Sequence, residues 1–162
     1  MHESVLVYIA SQVYKYGLAG LDTLELGALD INGSVRPLFA GRYVGIDPED
    51  GPGVDQVMSA HEAGIKFGPA SFDVVVCCEM LEHDPAPWLS MAAVRRVLRP
   101  GGHLLVTARG NRFPLHEHPH DYWRFMPSSF ELLLDLAGCD VIDVSEDPQV
   151  PGVFGHGLRR AD

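Results

Sequence analysis

The chain has no lysine- and arginine-rich stripe, no long apolar run and few cysteines. It counts 12 basic against 22 acidic residues, a formal charge of −10. That balance argues against nucleic acid or an anionic membrane surface as the main partner, since both reward clustered positive charge. Arg95, Arg96 and Arg99 do cluster, and they are expected on the solvated face of a helix. No stretch approaches the length of a membrane-spanning helix, and Glu3, Ser11, Gln12 and Lys15 interrupt the opening segment "MHESVLVYIASQVYKYGL", which has no leader-like basic start. Of the three cysteines, Cys77 and Cys78 are adjacent and Cys139 is remote. An odd number with that spacing gives no disulfide framework, so a reduced, cytoplasmic setting is expected.

Also missing is a glycine-rich turn. "TLELGALDINGSV", from Thr23, runs as a strand into Gly27, yet Ala28, Leu29, Asp30, Ile31 and Asn32 separate that glycine from Gly33. The G-x-G-x-x-G turn that lets a pyrophosphate press on the backbone is therefore absent, and a nicotinamide dehydrogenase is disfavoured.

What is present is an alternation of strands and helices. With 162 residues, 46% of them hydrophobic, one core and one domain spanning 1–162 are expected. Residues 1–20 hold an N-terminal helix, from residue 3 to about 17, with Leu6, Ile9, Val13 and Tyr16 on one face. Thr23–Leu26 and Tyr43–Ile46 read as strands, Ser34–Ala40 as a short helix, "VDQVM" as a weak strand, and His61–Ile65 as a helical turn. Val74–Cys78 is apolar without alternation, which predicts a strand covered on both faces in the middle of a parallel sheet. Pro87–Leu98 reads as a helix stopped by "RPGG", followed by a strand over His103–Thr107, a helix over Ser128–Ala137 and a strand over Asp140–Ser145. The tail "QVPGVFGHGLRR" adds a last short strand, expected to be antiparallel. The pattern implies an α/β fold, a Rossmann-like, mainly parallel sheet with helices on both faces.

Ligands of such sheets bind at the carboxyl ends of the strands. Gly27 follows the first strand, where a glycine permits close approach and a following helix offers free N–H groups. Asp47 closes the second strand about 20 residues after that turn, where a carboxylate can accept from both hydroxyls of a ribose. The same aspartate could instead brace the turn "DPEDGPG". Cys78, Glu79 and Met80 end the central strand, with backbone carbonyls, an acid and a flexible thioether suited to an ammonium group and an apolar ring.

Taken in order and spacing, "LELG", "YVGID", "SFDVVVCCEMLEH" and "VRRVLRPGGHLLVT" resemble the class I S-adenosylmethionine-dependent methyltransferases, over about residues 22 to 146. "HPHDYWRFMPSSFELLLDLAGCDV" looks like the segment after the fifth strand in a bacterial and phage-type subgroup. The resemblance implies S-adenosyl-L-methionine as cofactor and methyl transfer as activity. Glu25 and Gly27 then match the first motif, the acid ordering the turn near the methionine portion and the glycine, followed by Ala28, making room for the cofactor. Asp47, followed by Pro48, matches the acid that holds the ribose hydroxyls. Ser59-Ala60-His61 stands where the family often has Asp-Ala-His, so Ser59 replaces the acid at the adenine amino group, while the Ala60 backbone N–H remains available to the ring. Cys78 matches the carbonyl near the cofactor's amino group, with Glu79 and Met80 beside it. His118, Tyr122, Trp123 and Arg124 fall in the loop that flanks the acceptor in that subgroup, and are read equally as acceptor wall or as packing, with Arg124 pairing Asp121 or Glu117.

A sulfonium methyl is already activated, so alignment carries most of the catalysis, and an oxygen or nitrogen acceptor also wants a base. His83 and His116 are the candidate bases. His116, His118 and His120 alternate as a metal-binding stretch would, but Pro114 and Pro119 break the extension, so no metal is expected. The expected acceptor is a small molecule or glycan, with neither nucleic acid nor membrane as partner; a homodimer would serve if the short loops leave the acceptor pocket open. The alternatives are an inactive binding or scaffold module of the same fold, which Ser59 and the short length suggest, and a metal-dependent hydrolase built on the histidine loop.

Overall fold

The computed structural model describes residues 1–117 and 120–161. Its seven strands form one sheet in the order β3-β2-β1-β4-β5-β7-β6. Strands β1 (Thr23–Leu26), β2 (Tyr43–Asp47), β3 (Gln56–Val57), β4 (Phe72–Cys78) and β5 (Leu98–Arg109) pair in parallel. β7 (Gly152–Arg159) inserts between β5 and β6 (Cys139–Glu146) and runs antiparallel to both. The tail is thus a full strand of eight residues inside the sheet. Gly155 and Gly157 explain how it fits there. A Cβ on Gly155 would come within 2.8 Å of the Phe130 ring, and one on Gly157 within 2.7 Å of Cys139 Cβ.

β4 is buried on both sides, as its unbroken apolar run requires. Val75 and Cys77 point into a core with helices α2 (Ala63–Lys66), α3 (Pro87–Val97) and α4 (Pro127–Leu136), whose Met91, Val94, Phe130 and Leu134 are fully covered. Val74, Val76 and Cys78 face a second, smaller core filled by Val5, Ile9 and Val13 of α1 (Glu3–Tyr16). α1 ends at Gly17, whose φ of 67° closes the helix in a left-handed cap.

Two local expectations fail for physical reasons. The helix expected over Ser34–Ala40 shrinks to one 3₁₀ turn, Arg36–Leu38. Pro37 removes a backbone donor there, and Gly41 sits against the carbonyls of Gly20 and Leu21, so the segment has no room to wind on. α1 covers that face instead. Asn32 and Gly33, just ahead of that turn, lie in an open loop on the wall of the cavity described below, with Gly33 at φ 126°. In addition, "RPGG" does not separate helix from strand. β5 already pairs with β4 at Leu98, breaks register over the proline and glycines, and resumes at His103. Arg95 and Arg96 are exposed, whereas Arg99 is tied to Asp73 at 2.7 Å and to Asp22 at 3.4 Å. No helix among the described residues is long and apolar enough to cross a membrane.

Candidate active site

The parallel strands deliver their carboxyl ends to one rim, and the loops after β1, β2, β3 and β4 enclose a cavity of about 580 Å³ there. All ten residues expected at a cofactor line it: Glu25, Gly27, Ala28, Asp47, Pro48, Ser59, Ala60, Cys78, Glu79 and Met80. His83 and His116 line it as well. His118 lies outside the described residues.

Each contact is more specific than its motif. Glu25 is almost fully buried and accepts from the Tyr43 hydroxyl at 2.8 Å. Burial raises its carboxyl to about 7, and the Tyr43 hydrogen bond only partly opposes that. Gly27 has φ 77°, and an added Cβ would fall 2.6 Å from Cβ and Cγ of Met80. The close approach that demands glycine is therefore made by Met80 and by the turn itself, not only by a ligand. No helix follows to offer unpaired N–H groups. Gly27 and Ala28 both donate to the Ile46 carbonyl, at 2.9 and 3.0 Å, and Leu29 donates to Asp47 Oδ2 at 3.3 Å. A phosphate would find no donors in this turn.

Asp47 braces its own loop, accepting from Leu29 and, through Oδ1, from the Glu49 N–H at 2.9 Å. Each oxygen keeps a further lone pair, so the brace does not preclude a ligand. Ser59 is otherwise occupied. Its backbone N–H and its hydroxyl both donate to Glu62 Oε2, at 2.9 and 3.0 Å, capping the 3₁₀ turn Ala60–Glu62. The hydroxyl thus spends its proton on Glu62 and keeps its lone pairs as acceptors. The Ala60 N–H, at the first position of that turn, has no acceptor within the turn.

Glu79 follows β4 at φ 55°, a left-handed backbone rare outside glycine. Its N–H donates to the Thr107 carbonyl and its carboxylate accepts from the Thr107 hydroxyl, both at 3.0 Å, while Arg109 forms a close ion pair with the same carboxylate. These contacts hold the strained turn in place. The wall carries five carboxylates (Glu25, Asp47, Glu49, Glu79 and Asp84) and no lysine or arginine. A lining of that sign suits a cationic ligand with hydroxyls and opposes a pyrophosphate. S-adenosylmethionine, which carries a sulfonium, an ammonium and a ribose diol, fits that donor set; a dinucleotide does not.

Tyr122, Trp123 and Arg124 do not lie on the cavity wall. They bind the loop after β5 to the loop after β4. The Tyr122 N–H donates to the Glu82 carbonyl at 2.8 Å, and the Trp123 indole donates to the Asp84 carbonyl at 2.8 Å. Arg124 clamps Asp121 with both terminal nitrogens and donates to the carbonyls of Phe113 and Pro114. That clamp holds the Asp121 carboxyl far below the usual carboxylate range. The seam carries His116 to the cavity: its N–H donates to Asp121 at 2.8 Å, and its ring lies 4.9 Å from that of His83.

Several residues at the site went unremarked in the sequence. Asp84 is buried and anchors His61 at 3.0 Å, the Ser90 hydroxyl at 2.6 Å and the Ala86 N–H at 2.9 Å. Its position ahead of the proline-led start of α3 was the available signal. Glu82 and Arg109 are both wholly buried, and nothing in the sequence marks them as neighbours, since 26 positions separate them and their proximity depends on the pairing of β4 with β5.

The strand order, the antiparallel β7 and the cavity at the carboxyl rim define a class I methyltransferase fold. Solved structures agree. The Burkholderia thailandensis 1,6-didemethyltoxoflavin-N1-methyltransferase, crystallised with 1,6-didemethyltoxoflavin and S-adenosylhomocysteine, superposes with a TM-score of 0.78 at 17% identity, covering 98% of this chain and 80% of that one. The magnesium protoporphyrin IX methyltransferase of Synechocystis PCC 6803 gives 0.70 at 15% identity, over 98% and 79%. Residues 24–106 match the family described as a methyltransferase domain, and the chain belongs to the class I S-adenosylmethionine-dependent methyltransferases. It is 31% identical over 128 residues to the ubiquinone biosynthesis O-methyltransferase of Azoarcus sp. (strain BH72), covering 69% of this chain and 55% of that protein. With the corresponding protein of Vibrio atlanticus it shares 35% over 113 residues, 60% of this chain and 47% of that protein. The chain spans about half the length of these curated relatives.

Proposed function

We propose that this chain binds S-adenosylmethionine in the strand-end cavity and transfers its methyl group to an oxygen of a small-molecule or glycan acceptor. The observation that carries the reading is the convergence of four strand-end segments, with all ten expected residues, on one carboxylate-rich cavity lined by neither lysine nor arginine. When bound, the cofactor supplies a methyl group already activated on sulfur. The chain's own residues would do the rest. Asp47 would accept from the ribose hydroxyls, the Ala60 N–H would meet the adenine, and Glu25 and the β4 carboxyl end would face the amino-acid portion. His83 would be the base. Its Nδ1–H donates to the His120 carbonyl at 2.5 Å, which fixes the tautomer and leaves Nε2 to take a proton. The choice of oxygen rests on the named activity of the relatives.

Titration calorimetry with S-adenosylmethionine and S-adenosylhomocysteine tests the first half, with micromolar binding expected. Absence of binding by either at millimolar concentration defeats the reading. Asp47→Ala should weaken binding by about 1–3 kcal/mol, the loss expected for hydrogen bonds to a charged group. A second reading, a binding module without turnover, draws on the commitment of Ser59 to Glu62. Methylated product from any acceptor would exclude it.

A further inference from the structure

One group near the cavity has no structural explanation. Glu82 is fully buried, and neither carboxylate oxygen has a hydrogen-bond partner. Arg109 is the nearest cation, but its Nε stands 4.0 Å from Glu82 Oε1, and its close ion pair goes to Glu79. A buried carboxylate left unpaired costs several kcal/mol, so a fold that keeps one needs a reason. The Nδ1 atom of His116 is buried too, with the Asp121 carboxylate 3.4 Å away and no hydrogen bond made. One carboxylate oxygen of Glu82 and one ring nitrogen each of His83 and His116 lie within 4.8 Å of one another.

We propose that Glu82, His83 and His116 bind a first-row divalent transition-metal cation at the acceptor end of the cavity. The donor set is one carboxylate and two imidazoles, which favours manganese, iron, cobalt or zinc over calcium or magnesium. Metal–ligand bonds of about 2.1 Å place neighbouring donors about 3 Å apart, so a shift of roughly 1 Å per side chain closes the ring. Supports for such ligands are already built. The His83 Nδ1–H is held by the His120 carbonyl, and Asp121, locked by Arg124, lies 3.4 Å from His116 Nδ1.

His83 and His116 line the cavity, so the bound cation would present an open side to it. A hydroxyl of the acceptor reaching that side would bind more tightly as the alkoxide or phenolate, with its proton released to solvent water; His83, its Nε2 then held by the metal, serves as base only in the metal-free protein. This second step rests on the methyltransferase reading; the metal site does not. It departs from the sequence expectation of no metal, because the residues beside His116 come from the loop after β4, which the spacing of the histidine loop does not show.

The test uses the full chain stripped with a chelator and titrated with Co²⁺, read by calorimetry and by visible absorption. One equivalent of cobalt, with absorption bands of nitrogen-coordinated metal, is expected. Glu82→Gln and His116→Ala should each weaken binding by tenfold or more. His103→Ala, remote from the cavity, should bind as wild type. Thermal melts of every variant separate loss of the site from loss of the fold. No stoichiometric binding by the wild type, or equal binding by folded Glu82→Gln and His116→Ala, would overturn the proposal. S-adenosylhomocysteine titrated into the metal-free protein reports on the cofactor reading alone.

Discussion

Two pairs of histidine rings stand at almost the same spacing in this molecule. His83 and His116 are 4.9 Å apart at the cavity, and His103 and His156 are 5.1 Å apart under α1. The second pair is fully assigned. Gln12 Oε1 can only accept, so His156 Nδ1 donates to it at 2.9 Å. His156 Nε2 then accepts from His103 Nδ1–H at 2.8 Å, and the Tyr16 ring packs edge-on against His156. Every polar atom of the buried His156 ring has a partner, and burial together with His103 pushes its pKa down to about 3. The cavity pair is open by contrast: His83 keeps a free nitrogen, the buried nitrogen of His116 makes no hydrogen bond, and neither does Glu82 beside them. Completed networks hold folds together, and incomplete ones at a cavity mark where something else binds.

The largest expected effect breaks the completed pair. His156→Ala removes a buried ring and strands Gln12 and His103, and should cost about 3–4 kcal/mol in urea unfolding. pH adds a signature. The folded ring stays neutral while the unfolded one takes a proton below about 6.5, so between there and pH 3 the unfolded state binds more protons and stability falls with pH. The wild type should lose about 2 kcal/mol through this group from pH 7.5 to 5, and His156→Ala should lose that dependence. A pH profile unchanged by the substitution would mean that His156 is charged when folded.

The next effect has the opposite sign and comes from the cavity. Burial raises the Glu25 carboxyl from 4.5 to about 7, so the folded state binds more protons between those values and stability falls as pH rises. From pH 5 to 8 the loss through Glu25 should be about 2–3 kcal/mol. Glu25→Gln, which keeps the shape near Tyr43, should flatten that limb while weakening cofactor binding. Identical alkaline limbs in both proteins would show Glu25 ionised at little cost.

The difference between the pairs also explains what the sequence could reveal. Turn residues at strand ends are local, so Glu25, Gly27, Asp47 and Met80 could be placed from "LELG", "YVGID" and "CCEM" alone. β4 was legible because burial on both faces leaves an unbroken apolar run. The helix expected at Ser34 was not realised, because α1 arrives from 20 or more residues away to cover that face. The roles of Glu82 and His116 were hidden for the same reason. They meet only when the loop after β5 folds across the loop after β4, a contact in which every acceptor is a backbone carbonyl, so no pairing of side chains marks it. Ser59 was read as the residue that replaces an acid near the adenine, and its second role, capping the turn through Glu62 three residues on, was not read.

The smallest effect probes that seam. Trp123 is partly exposed, and its indole N–H reaches the Asp84 carbonyl, so Trp123→Phe deletes one hydrogen bond while keeping the aromatic contact with Trp88. Global stability should fall by only about 1 kcal/mol. The change should be local: faster amide exchange at Tyr122 and Trp123, whose N–H groups face the Glu82 carbonyl, and unchanged exchange across β7 around His156. If the seam positions His116, Co²⁺ affinity should drop by a few-fold in Trp123→Phe while S-adenosylhomocysteine affinity holds, since Gly27, Asp47 and Ala60 lie on other loops. Equal losses for both ligands would mean that the two loops move the whole cavity together. The open pair would then be coupled to the cofactor end and not only to the acceptor end.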